Sequence, residues 1–252
     1  MSTLDIYLDV AASGRVMAHL LEPPGLGVRF PSREEVARRL PAALDAHLAW
    51  LRFHGETVPA APITFRVVEE AAMAGDFESG DDVGFYAPDA VPVTPEDVEQ
   101  YLRIAVHAHT DLLTLIEGLD DDALDWVHDA QTRTIRQVVR HIVGAELWYM
   151  TRIIDEQDQG TLAEIIRHAD ERIDATEDVT QRLRIVWEAS PRLVRGLTAA
   201  HLAQITLPTR HTQIPERWTA RKMLRRCIEH CREHTRSVER ILALSRVRSS
   251  QE

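Results

Sequence analysis

Between residues 4 and 10 apolar and polar side chains alternate, Leu4, Ile6, Leu8 and Val10 against Asp5, Tyr7 and Asp9. A period of two predicts a strand with one buried face. Ser13-Gly14 reads as a turn, and Arg15 to Leu21 as the returning strand. After the loop Pro23-Pro24-Gly25-Leu26-Gly27, Val28 to Phe30 forms a third short strand. Ser32 followed by Glu35 is a capping-box pattern. From there Val36, Leu40, Leu44, His47-Leu48 and Leu51 recur at helical spacing. This helix is expected to end near His54-Gly55, with a kink at Pro41. Ile63 to Glu69 returns to strand. The element order βββαβ predicts an α+β domain over residues 1–75.

Residues 76–93 carry Gly, Asp and Pro in a cluster and read as a linker. Phe77, Phe85 and Tyr86 within it predict that it packs along a surface. Residues 94–252 read as four helices. The first starts at Thr94 with Pro95 behind the cap, carries the stripe Leu102, Ala105, His109, Leu112 and Ile116, and stops at Gly118. The second runs from Thr134 to about Ile154. The third runs from about Thr180 to Leu197, with Pro191 as a kink or break. The fourth runs from Thr219 to about Ser245. Leu162 to Asp178 is polar and reads as partly helical. Leu207 to Pro215 is a loop long enough to cover a site.

Composition narrows the class. The chain has 252 residues, 44% of them apolar, which suffices for a buried core. A net charge of -11 argues against binding nucleic acid or an acidic membrane. No signal-peptide pattern opens the sequence and no apolar run approaches a membrane span, so a cytoplasmic protein is expected. The two cysteines, Cys227 and Cys231, share one helical turn, so they build no disulfide framework.

The candidate chemistry lies in histidine. His230 and His234 are one turn apart on the fourth helix. With Cys227 and Cys231 they fall within about 100 degrees of arc, coincident with the apolar stripe. His141 lies on the packed side of the second helix with Val138, Ala145 and Trp148, and Gly144 and Ala145 beside it leave space. A histidine facing a His-x-x-x-His pair builds an open three-nitrogen metal site. Spacing alone leaves hydrogen-bonded core histidines as the alternative. Glu146 stands about 140 degrees round the helix from His141, where a salt bridge is expected instead of ligation. His109 is a candidate proton-transfer or supporting residue, with a core histidine as the alternative. Cys227 and Cys231 read as small buried residues or soft ligands. Arg210 and His211 could meet an anionic substrate or be solvated loop residues. His19, His47 and His54 read as surface or packing residues.

Two resemblances extend this reading. The opening hairpin, the Pro-Pro-Gly-Leu loop, the Ser32-Arg-Glu-Glu helix start and Leu51-Arg-Phe-His-Gly-Glu-Thr-Val-Pro59 resemble the HicB-like family, whose small α+β domains act as interaction modules. Residues 94 to 245 resemble the DinB-like family of four-helix bundles. That resemblance is carried by Thr134-Ile-Arg-Gln-Val-Val-Arg-His141-Ile-Val-Gly-Ala-Glu146-Leu-Trp-Tyr149 and by Trp218-Thr219 leading into His230-x-x-x-His234. It implies an up-down-down-up bundle in which His141, His230 and His234 bind a divalent metal, zinc or nickel. It also implies a metal-dependent thiol S-transferase or a related isomerase, acting on a small molecule, with a homodimer possible. The chain departs from the family pattern at Arg133-Thr134 and at Thr235-Arg-Ser-Val238, which bears on substrate identity. The competing expectations are a metal-stabilised regulatory module whose first domain recruits a protein partner, and a dimeric stress-linked protein without catalysis.

Overall fold

The alternating opening stretch forms β1 (Ser2–Ala11), paired antiparallel with β2 (Val16–Leu20), itself antiparallel to β3 (Leu26–Phe30). The computed structural model describes residues 2–77, 83–154, 160–208 and 216–249. Helix α1 (Arg33–Phe53) crosses the sheet and delivers β4 (Ile63–Met73) parallel to β1, giving the order β3-β2-β1-β4. The βββαβ order is the one expected from the pattern. Val36, Leu40, Leu44, Leu48 and Leu51 of α1 bury against Leu4, Ile6 and Leu8 of β1 and their neighbours, as the periodicities require.

One local expectation fails. The Ser32 hydroxyl turns to Glu34 at 2.6 Å and caps no backbone N–H. Helix α1 runs through Pro41 and ends at the expected His54. A larger difference concerns β1, of which one face was expected to be wet. Tyr7 and Asp9 are buried too. The segment around Tyr86 and the last helix cover the second face, and hydrogen bonds satisfy the polar groups there.

The segment read as a linker is packed. Val83 and Tyr86 are buried, and a 3-10 turn over Ala87–Ala90 holds Asp89 at zero exposure. It leads into α2 (Pro95–Ile116), capped by Thr94 and Asp97 in a reciprocal box. A short α3 (Asp121–Asp125) precedes α4 (Ile135–Thr151), which Thr134 and Gln137 cap in the same way. The polar stretch after it is helical over most of its length, as partly expected: α5 (Thr161–Asp174) buries Leu162, Ala169 and Ile173. Helix α6 (Val179–Arg195) starts at an Asp178 cap, before the expected Thr180, and runs through Pro191 unbroken. The short α7 (Ala199–Ala203) follows, and α8 (Ala220–Ser249) closes the chain with 30 residues.

Helices α2 and α4 each pack against both α6 and α8, so the four long helices enclose one core. Around them α3, α5 and α7 are additions to the four helices expected. The loop expected to cover a site is pinned at its ends by paired backbone hydrogen bonds of 2.9 Å between Thr206 and Trp218. Residues 209–215, with Arg210 and His211, lie outside the described residues. The buried apolar cluster is continuous from the sheet through α1 into the bundle. Among the described residues no helix is long and apolar enough to cross a membrane.

Candidate metal centre

Two helices carry the histidines. The Thr134 cap fixes the start of α4 and places His141 at its seventh position. On α8, His230 and His234 are one turn apart and face it, because α4 and α8 pack directly. His230 Nε2 lies 3.1 Å from His141 Nε2 and 3.1 Å from His234 Nε2. The first contact joins residues 89 apart in sequence. The rings meet edge to face, at interplanar angles of 61°, 85° and 75°. His230 is buried and its partners half-buried. The Tyr149 ring closes the inner side, perpendicular to His230 at 5.7 Å. Gly144, expected to open space beside His141, instead faces solvent.

The electrostatics keep the three rings neutral. Burial first, then His141, Arg29 and Arg133, push His234 down to about 3. Burial, His234 and Arg226 push His230 well below its ordinary value. Burial, Arg133 and Arg29 lower His141. Neutral imidazole is the form that ligates metals.

These residues suit a divalent ion. His230 Nε2 has one lone pair or one proton, yet it faces two nitrogens at equal distance. A proton cannot serve both contacts well, whereas one cation can accept all three lone pairs. Two nitrogens on a tetrahedral zinc ion lie about 3.3 Å apart, given bonds of ~2.05 Å. The 3.1 Å spacings are close to that edge.

The other candidates lie elsewhere. His109 stacks on Trp187 at 3.9 Å and points its Nε2 toward Glu146, 3.5 Å away. Glu146 is fully buried and accepts from Trp187 Nε1 at 3.1 Å. Cys227 and Cys231 are buried and free. His54 meets Asp111 at 3.2 Å and stacks on His107, while His47 lies between Pro23 and Arg232.

A set of buried ionic groups escaped the sequence reading. Glu229, next to His230, contacts His19 at 3.2 Å and Arg226 at 2.8 Å. His19 also contacts Asp9 at 2.9 Å, and Asp9 accepts from Tyr86 Oη at 2.6 Å. Arg225 forks onto Asp89 with two 2.7 Å bonds. Burial would raise Glu229, but His19, Arg225 and Arg226 outweigh it and hold the carboxyl down to about 2. Burial would lower His19, but Glu229 and Asp9 outweigh it and raise it. The one sequence signal was the density of charge on an otherwise apolar face of α8.

No curated protein matches this chain. Among solved structures, the chain is similar to one described as "YfiT from Bacillus subtilis is a probable metal-dependent hydrolase with an unusual four-helix bundle topology", at 20% identity and a TM-score of 0.44, over 66% of this chain and 95% of that one. The family model of the DinB superfamily matches residues 105–238, a span that holds α4, the histidine trio and most of α8. With more than half of its length so matched, the chain belongs to the DinB superfamily.

Proposed function

We propose that this protein holds a divalent metal, zinc or nickel, on His141, His230 and His234, and uses it for thiol transfer or a related isomerisation of a small molecule. The observation that carries this reading is the convergence of three neutral imidazole nitrogens, with His230 at 3.1 Å from each of the others. When bound, the ion supplies a Lewis acid and favours the thiolate form of a thiol ligand. The chain's own residues set the rest. Three neutral ligands cancel none of the ion's charge, and Arg29, Arg133 and Arg226 add positive potential around the rings. That field attracts an anionic ligand and disfavours a cationic one. Tyr149 and the buried side of His230 keep water from the inner face.

The test is elemental analysis of the purified protein, followed by thiol consumption in the presence of electrophiles. Stoichiometric metal with turnover of any thiol in a panel supports the proposal. Protein that carries metal and turns over no thiol favours the second reading, a metal-stabilised module whose first 75 residues recruit a protein partner. One observation favours that reading: the α+β unit bonds directly to the helix carrying His230, through His19 and Glu229. The domain limits 1–75, 76–93 and 94–252, a cytoplasmic location, an up-down-down-up bundle and a homodimer belong to the same proposal.

A further inference from the structure

A second donor set sits deeper in the bundle. His109 comes from α2, Glu146 from α4 and Cys231 from α8. One ligand atom from each lies within 4.8 Å of the others. Glu146 and Cys231 have no exposed surface. The set is not the histidine trio seen from another side. Glu146 is turned about 140 degrees from His141 on α4, and Cys231 about 100 degrees from His230 on α8.

The hydrogen bonds here are incomplete. Trp187 Nε1 serves Glu146 Oε1. Glu146 Oε2 and His109 Nε2 are both buried, and neither has a hydrogen-bond partner among the described residues. Buried polar groups are otherwise almost always paired. Two ligand atoms without hydrogen bonds, of which His109 Nε2 stands 3.5 Å from Glu146 Oε1, and a thiol therefore share one small volume, with Trp187 stacked along the His109 ring as its wall.

We propose that His109, Glu146 and Cys231 form a second, buried site for a divalent metal of zinc type, which ties α2, α4 and α8 together. The donor chemistry selects the class. One nitrogen, one carboxylate oxygen and one sulfur suit zinc or cobalt, whereas magnesium and calcium require oxygen donors. The distance agrees: His109 Nε2 to Glu146 Oε1 is 3.5 Å, close to the ~3.3 Å edge of a tetrahedral ion. Charge agrees as well. As the metal–sulfur bond forms, the Cys231 thiol gives up its proton to solvent. The ion's two positive charges then meet one carboxylate and one thiolate, and the cluster is neutral. A neutral cluster suits a dry interior, whereas three imidazoles leave an ion fully charged and suit the partly open position of the trio. This inference does not depend on the function proposed above.

The test uses protein from cells grown with cobalt, so that metal enters during folding. Only a thiolate ligand gives the near-ultraviolet sulfur-to-cobalt charge-transfer band, and the histidine trio has none. The expected result is that band in the wild type, retained in His141→Ala and in Cys227→Ser, and lost in Cys231→Ser with a fall of one metal equivalent. If Cys231→Ser does not fold, the same-shape change Glu146→Gln is expected to lose the band. A wild-type protein without the band, a band that survives both Cys231→Ser and Glu146→Gln, or one lost in Cys227→Ser or His141→Ala, overturns the inference. Failure of the trio to bind metal would leave the band in place, so the two outcomes are separable.

Discussion

Glu229 and His230 are consecutive residues, about 100 degrees apart round one helix, that serve different neighbours. The Glu229 carboxylate meets His19 of the sheet at 3.2 Å, while the His230 ring meets His141 of the bundle at 3.1 Å. A shift of α8 that disturbs one contact disturbs the other. The proposed metal site is thus coupled to the α+β unit by a single peptide unit.

His230→Ala removes the central nitrogen of the trio. The expected outcome is loss of the trio's bound metal and a lower melting temperature, because the ion contributes folding free energy. With free metal at about 100 times its Kd, the loss is ~2.7 kcal/mol. Elemental analysis and thermal melts with and without added metal check this. Equal metal content in the variant and the wild type would count against the trio.

Arg225→Met leaves Asp89 and Glu229 without their shared guanidinium in a fully buried setting. A buried pair broken from one side costs about 3–5 kcal/mol. Adding Asp89→Asn to Arg225→Met should recover part of that loss. Urea unfolding of the single and double variants reads both values.

Stability should fall in acid, and the direction follows from two groups. His234 titrates near 6.5 in an unfolded chain and about 3 in the folded one. Between those values the unfolded chain binds more protons, so the metal-free protein loses stability as pH drops below about 6.5. Glu229, held to about 2, contributes stability that is present above ~4.3 and lost as pH falls toward its folded value. Melting curves of metal-stripped protein should therefore decline from pH 6.5 to 4. A flat profile would show that the trio is not buried and neutral.

Thr134→Ala removes the hydroxyl that accepts from Gln137 N at 3.0 Å at the start of α4. The expected loss is about 1 kcal/mol. Because His141 is two turns further on, metal stoichiometry should remain unchanged. Denaturation midpoint and metal content together distinguish a capping role from a ligand role.

Gly25→Ala tests the approach of the β2–β3 loop to α8. Gly25 has φ +110, and an added Cβ would stand 2.9 Å from Ile228 Cγ2. Backbone strain and overpacking act together here, for a loss of roughly 1–3 kcal/mol. A variant as stable as the wild type in urea would show that the loop does not press on the helix.

The histidine trio was legible because helical spacing alone brings His230 and His234 to one face, and because both carrying helices have clear caps or stripes. The caps at Thr94 and Thr134 form as their residues suggest. Other features were hidden for identifiable reasons. The stripe Leu162, Ala169 and Ile173 of α5 is helical in period, but its polar surroundings masked it. Tyr7, Asp9 and His19 looked like a solvated strand face, since nothing near them in sequence announces the covering helix. Glu229 is 210 residues from His19, and only tertiary structure joins them. At Ser32 the hydroxyl donates to the Glu34 carboxylate and accepts from no backbone N–H, so the pattern gives no cap.

Helix α8 also bears on how such a protein can change over generations. Its inward face carries buried guanidinium groups: Arg225 pairs with Asp89 of the strap, Arg226 pairs with Glu229 of the same helix, and Glu229 in turn meets His19 of the sheet. The two halves are therefore not interchangeable cassettes. A bundle cut free at Thr94 and fused to a foreign neighbour would leave Arg225 buried without its Asp89 partner. Recombination within this chain is confined to exchanges that move α8 and its acidic partners as a set.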